Sequence, residues 1–366
     1  MVLISAICQG LLTGHADAAQ NNGRQGSSSY ENAIITEDVN WNGKIVVRGY
    51  LVVAPQATLR IQPGTVISFI RSNAMNQPSR LVVQGRLDCQ GTGQRPVLFT
   101  SNTHGAASGE WGGIVLLSNE KRNRLTHFAI EGAETALELR FSAIHLHNGR
   151  IAQSGIGISA ADSRLTAENL HISGSSKGLE LINSEAELRG VKLSRCHDGI
   201  AATRSSLSIA SSAISASLQH GVTARDCRIR IRSCELFDNR VGSQFIEGEG
   251  QIFLTRFHDN HELALQLSAA RIKVSNSVFI NNRRDAVQVD DGMGLFYGNV
   301  FSGNQRFNMV NNGRDRVSAQ LNWWGSNNES GIMSGLQHKA KGDQNGEIVF
   351  SPWLPEQPAA VPFSTP

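Results

Sequence analysis

Gly157-Ile158-Ser159, Gly178-Leu179-Glu180, Gly199-Ile200-Ala201, Gly221-Val222-Thr223 and Gly242-Ser243-Gln244 follow one another at steps of 21, 21, 22 and 21 residues. The same step reaches back to Ala136-Leu137-Glu138 and forward to Ala264-Leu265-Gln266 and Ala286-Val287-Gln288, so residues 136–307 repeat themselves. Two more files keep the period. Ile151, Ile172, Leu193, Ile214, Leu236, Phe257, Phe279 and Phe301 are large and apolar. Three residues after each stands Ser154, Ser175, Cys196, Ser217, Asn239, Asn260, Asn282 or Asn304. A period in the low twenties, carried by short β-branched and polar segments, marks a stacked solenoid. A coil of about 22 residues closes with three short strands and three bends, each strand pairing with its equivalents roughly 4.8 Å above and below. A leucine-rich horseshoe would need a recurrent Leu-x-x-Leu-x-Leu, which the chain lacks. The predicted fold is therefore all-β: a single-stranded parallel β-helix of about a dozen coils, with 21–22 residues in each. An inward apolar file contributes roughly 1.5–3 kcal/mol per large side chain. An inward Asn file adds about 1 kcal/mol net per hydrogen bond.

Solenoids grow by length around one core, so the 366 residues are expected to form one elongated domain. Lys+Arg 34 against Asp+Glu 31 leaves a net charge of +3, which gives no electrostatic footprint for nucleic acid. No apolar run is long enough to cross a membrane. Residues 1–19 read as a secretory signal peptide, with the apolar run Val2-Leu3-Ile4-Ser5-Ala6-Ile7 and a small-x-small cleavage site at Ala16-Asp17-Ala18. No Lys or Arg precedes the run, which points to a start further upstream; an N-terminal cap helix is the alternative. Ile7 is not the small residue that lipid attachment at Cys8 would need. The expected location is therefore outside the cytoplasm: periplasmic, cell-surface or secreted. Residues 20–31 read as a flexible linker, 32–354 as the β-helix and 355–366 as a Pro-rich tail. Without Cys8, the even set Cys89, Cys196, Cys227 and Cys234 permits disulfides in three connectivities. Against that, Cys196 sits in the Ser/Asn file and Cys234 aligns with Ser212, Thr255 and Ser277, as buried thiols would.

The N-terminal part adds Leu51-Val52-Val53, Ala57-Thr58-Leu59-Arg60-Ile61 and Pro63-Gly64-Thr65-Val66-Ile67-Ser68-Phe69. After these come Pro96-Val97-Leu98-Phe99-Thr100-Ser101-Asn102 and Trp111-Gly112-Gly113-Ile114. Near the other end stands Leu321-Asn322-Trp323-Trp324-Gly325-Ser326-Asn327. In this order the motifs resemble exported bacterial right-handed parallel β-helix proteins of the pectin-lyase-like superfamily, over about residues 40–354. The resemblance implies the right hand, as does the general preference of parallel crossovers. It implies no single activity, because the group holds lyases, hydrolases, epimerases and binding modules. The step of 22 from Phe301 predicts Trp323 as the lid of the apolar file, with caps near Trp41 and near Trp323-Trp324.

The period also places outward side chains beside one another. His145, Thr166, Glu187, Ser208 and Arg230 form one column; His147, Glu168, Arg189, Ala210 and Arg232 form a second. Past a bend, Arg150, His171, Lys192, Ala213, Glu235 and Arg256 form a third. Arg189, Lys192, His171 and Glu168 in one patch would suit a polysaccharide lyase or related uronate enzyme, with a cation on the carboxylate and a base for the adjacent proton. The other reading is a mixed-sign ladder of exposed pairs, each worth at most about 1 kcal/mol. His145 and His147 lie on one side of a strand, roughly 6.5–7 Å apart, and with further ligands would suit copper or zinc. Otherwise no cofactor is expected, since the acidic calcium cluster of pectate lyases has no counterpart and Asp290-Asp291 reads as a turn. A third reading has no chemistry. Arg228, Arg230, Arg232, Arg271 and Lys273 on long sheet faces would bind an extended, acidic polysaccharide or a cell-envelope protein. A complete architecture without a complete catalytic set favours this non-catalytic binding or scaffolding role, with the lyase second and a periplasmic metal-associated protein third.

Overall fold

The computed structural model of the chain describes residues 27–70, 78–101, 107–338 and 346–358. Strands pair only in parallel with the equivalent strand of the next coil, giving a β-solenoid of about 12 turns. The repeat sets the register: Leu137, Ile158, Leu179, Ile200 and Val222 are successive Cα partners. So are Ile151, Ile172, Leu193, Ile214, Leu236, Phe257, Phe279 and Phe301. All eight are at most 1% exposed, and the aromatic end of the file stacks ring on ring at 4.9 Å (Phe257 on Phe279) and 5.0 Å (Phe279 on Phe301). These separations equal the spacing of neighbouring strands.

Each coil has three faces. In the central coils the first face carries Lys177–Ile182, Asp198–Thr203, His220–Arg225 and Val241–Ile246. The second carries Glu185–Arg189, Ser206–Ala210, Arg228–Arg232 and Glu249–Phe253, and the third Lys192–Ser194, Ala213–Ser215, Glu235–Phe237 and Arg256–His258. The corners between faces turn on left-handed residues such as Asn169 (φ 52°), Gly190 (φ 63°) and Ser211 (φ 47°). That conformation costs a non-glycine residue roughly 1–2 kcal/mol. Small polar side chains just inside the corners offset it. Ser212 Oγ accepts from the Val191 N–H at 3.0 Å, and Ser184 Oγ from the Ser163 N–H at 3.0 Å. In the third such file Asn260 Nδ2 donates to Asn282 Oδ1 (3.0 Å) and to the Leu236 carbonyl (3.0 Å), while its own Oδ1 accepts from Asn239 Nδ2 (3.2 Å). Every polar atom of that buried amide is thereby used.

The ends differ from expectation in two places. Among the described residues strand pairing begins at Ser27, because Ser27–Ile35 lies along Lys44–Val53; residues 27–31 are strand in a first coil and not linker. There Trp41 Nε1 donates to Tyr30 Oη at 3.1 Å, so the N-terminal indole is itself covered. At the other end Trp324, not Trp323, continues the apolar file, stacking on Phe301 at 4.6 Å. The last coil has one extra residue: Asn299 N–H donates to Asn322 Oδ1, 23 positions on, which moves Trp323 to the outer file beside Val300. A short helix, Glu329–Ser334, then lays Ile332 over the core, its N-terminus capped by Asn328 Oδ1 accepting from the Gly331 N–H at 2.8 Å. The expected signal peptide at 1–19, Cys8, residues 20–26 and the tail beyond 358 lie outside the described residues.

Cys89, Cys196, Cys227 and Cys234 are free, buried thiols; Cys196, Cys227 and Cys234 occupy small inward files, and Cys89 an apolar file between Ile61 and Leu125. Burial pushes the pKa of Cys89 up to about 12 and that of Cys234 up to about 11, which keeps them protonated and unreactive. Among the described residues no helix is long and apolar enough to cross a membrane.

Candidate functional site

On the second face, outward side chains fall into parallel files because strand alternation is repeated in every coil. Glu185, Ser206, Arg228, Glu249 and Arg271 are partners in one file; Glu187, Ser208, Arg230, Gln251 and Lys273 are partners in the next. Between the two files runs a groove of about 550 Å³, floored by Ala186, Leu207, Ile229 and Gly250. Four of the five predicted binding cations, Arg228, Arg230, Arg271 and Lys273, line it. Arg232 stands one file over, between Ala210 and Phe253, and is not part of the lining. Arg228 pairs with Glu249 at 3.5 Å, an exposed contact of little net worth. At the upper end Lys273 Nζ lies 5.0 Å from the centre of the Tyr297 ring, and its hydrogen bond, then that of Ser275, holds the Tyr297 hydroxyl below its ordinary pKa.

The expected lyase patch is divided. Glu168 pairs with Arg189 in register, and His171 with Lys192. Between the two pairs lies the corner at Asn169 and Gly190, so they project from different faces around a convex edge. Glu168 takes its ion pair from His147 Nδ1 at 3.3 Å. The His171 pKa is held below the ordinary histidine value by burial, then by Arg150, Lys192 and Arg195. His147 meets the ring of His127 edge-on at 6.3 Å, while His145 lies between Arg124 and Thr166 in its file. Among the described residues no three or more His, Cys, Asp or Glu side chains are grouped as metal ligands.

The first face holds a cluster that the sequence reading passed over. Asp198 Oδ1 accepts from His220 Nδ1 at 2.9 Å, and Asp198 Oδ2 from His197 Nδ1 at 3.0 Å. Burial acts to raise the Asp198 pKa, but the hydrogen bonds from His220 and His197 outweigh it and hold the carboxyl below its usual range. Lys177, the Cα partner of Asp198 one coil below, is ion-paired with Glu180. Further up, Gln244 Nε2 donates to Gln266 Oε1 (2.8 Å), and Gln266 and Gln288 both donate to Asp290 (2.7 and 2.8 Å). This row leads to a pocket of about 350 Å³ containing Asp285, Arg284 and Arg306. Burial pushes the Asp285 pKa up, partly offset by Arg306 at 3.5 Å. The signal was the position just before the glycine file, occupied by Lys177, Asp198, His220 and Asp285.

Residues 33–141 match the family model described as a pectate-lyase-like beta helix domain, and residues 177–331 the one described as a right-handed beta helix region. The chain is a parallel β-solenoid that carries a pectate-lyase-like β-helix domain and a right-handed β-helix region. No curated protein matches it in sequence. Among solved structures this β-helix is similar to a double mutant of the periplasmic alginate epimerase AlgG, with a TM-score of 0.50 and 13% identity over 87% of this chain and 78% of that one. It is also similar to the A-module of the Azotobacter vinelandii mannuronan C-5 epimerase AlgE4, with a TM-score of 0.44 and 10% identity over 84% and 91%. At such identities the likeness establishes the fold alone. Chemically, the second face of the β-helix offers exposed cations along an open groove, and the first an imidazole oriented by a carboxylate, the arrangement of a general base.

Proposed function

We propose that this β-helix binds an acidic polysaccharide, without turning it over, in the groove of its second face. The observation that carries the reading is the convergence of Arg228, Arg230, Arg271 and Lys273 on one groove, open to solvent and shared by several coils. Guanidinium groups suit carboxylates because their donors match both oxygens. The alginate epimerases named above are β-helices that act on polysaccharide, which agrees with such a ligand. An exported destination, periplasmic, cell-surface or secreted, belongs to the same proposal, with residues 1–19 as the signal peptide. A second reading, a polysaccharide lyase or other uronate-acting enzyme, is favoured by one observation: the His220–Asp198 pair with Lys177 one coil away.

One experiment separates the two. Purified protein is incubated with acidic and neutral polysaccharides, and retention, unsaturated uronate ends and deuterium uptake at the uronate C5 are followed together. Retention on acidic polymers alone, lost as salt is raised, with no chemical change, is the expected result. Unsaturated ends or C5 exchange that disappear in His220→Gln would establish the enzyme instead.

A further inference from the structure

We infer that the polysaccharide lies parallel to the helix axis in the second-face groove, one sugar to a coil, with the acid groups of every second sugar meeting the cations. The inference rests on the binding role just proposed and names the ligand more closely: an extended 1,4-linked polyuronate.

The direction comes from the shape of the groove. Its lining follows two neighbouring files through five coils, from Glu185 and Glu187 up to Arg271 and Lys273, and omits the outward residues of the next file, Arg189 and Arg232 among them. It is thus a furrow running up the axis and not a trough along one strand. Four coil steps make it roughly 19 Å long.

The repeat comes from the charges. Arg228 and Arg230 flank the furrow in one coil; Arg271 and Lys273 flank it two coils higher, roughly 9.5 Å away. The coil between them presents Gln251, a neutral donor and acceptor, and Glu249, already engaged by Arg228. In an extended two-fold ribbon of 1,4-linked pyranoses, each sugar advances by about one strand spacing and successive carboxylates point to opposite edges. Acid groups on one edge therefore recur every second sugar, in step with the two cationic coils. Below Arg228 and Arg230 come Ser206 and Ser208, small hydroxyls suited to sugar hydroxyls, and then Glu187, which repels a further carboxylate, beside Glu185, itself paired with Arg164 at 2.8 Å. The pattern therefore also ends the site.

Two consequences are measurable. A trisaccharide is the shortest chain that reaches both cationic coils, so affinity should rise by about tenfold or more from two to three sugars, as a second tethered contact predicts. It should level off at about four, the number of coils in the furrow above the one that carries Glu187. Oligouronides of two to eight sugars are titrated into the full-length protein at one low salt concentration, and into the Arg271→Ala/Lys273→Ala variant. The expected result is the step and the plateau in the native protein, with disaccharide affinity retained but the step lost in the variant. Affinity that climbs steadily beyond four sugars without a step, or a variant that weakens all lengths equally, overturns the one-sugar-per-coil arrangement while leaving acidic-polymer binding in place. If neither oligomers nor polymer bind, the binding role itself fails.

Discussion

Arg230→Glu combined with Lys273→Glu is expected to lower the affinity for a polyuronate by at least about a hundredfold at low salt, from two charge-assisted contacts worth roughly 1.5–3 kcal/mol each. Each exchange removes a guanidinium or ammonium from the furrow and sets a carboxylate against the ligand's own. Ser208, Gln251 and Leu295, their neighbours in the file, supply no compensating cation. The same reversal at Arg189 and Lys192, outside the furrow and divided by the Gly190 corner, should change affinity by no more than about twofold. Both double variants should unfold like the native protein, since exposed substitutions of this kind usually stay within about 0.5 kcal/mol. Anisotropy of a labelled oligouronide together with denaturant unfolding reads both quantities. Equal losses in the two double variants would mean that diffuse surface charge, not the furrow, holds the polymer.

Phe279→Ala should be the most damaging single change to the framework, at about 3–5 kcal/mol. The ring is fully buried between Phe257 and Phe301 at 4.9 and 5.0 Å, and those two rings belong to coils held apart by backbone pairing, so they cannot close the space. In a solenoid each coil contacts only its neighbours, so the loss should be local. Hydrogen exchange is expected to accelerate in Arg256–His258, Val278–Ile280 and Val300–Ser302, with little change around Leu137 and Ile158. The damaged coil carries Arg271 and Lys273, so polymer binding should weaken with it. Uniform acceleration along the whole chain would contradict a core held together coil by coil.

The inward files were legible because burial selects side-chain volume at the same point of every coil. Ile151 to Phe301 and Ser154 to Asn304 keep size and polarity through eight repeats, and the register follows them. The sharpness of the corners was not legible, since left-handed positions are occupied by residues as unlike as Asn169, Gly190, Ser211 and Leu254. The bend between Glu168 and His171 was placed by the period, but not that it turns the two side chains onto different faces. Trp324 replaced Trp323 as the lid because a single inserted residue in the last coil shifts the file, and one residue is invisible to a period that already alternates between 21 and 22. The cations of the furrow were readable from alternation within Arg228-Ile229-Arg230-Ile231-Arg232, but the exclusion of Arg232 depends on where the groove lies between files. His220 and Asp198 are 22 positions apart in outward places with no recurring identity, so only the coil register brings them together.

Arginine footprinting tests the location of the ligand most directly. Native protein is treated with phenylglyoxal in the presence and absence of a polyuronate at low salt, and each arginine is quantified by peptide mass spectrometry. Protection of Arg228, Arg230 and Arg271, with Arg164, Arg204 and Arg240 modified as before, is the predicted result. Unchanged reactivity at the three furrow arginines under conditions where the polymer is bound, or protection at Arg284 and Arg306 of the first-face pocket in their place, would contradict it.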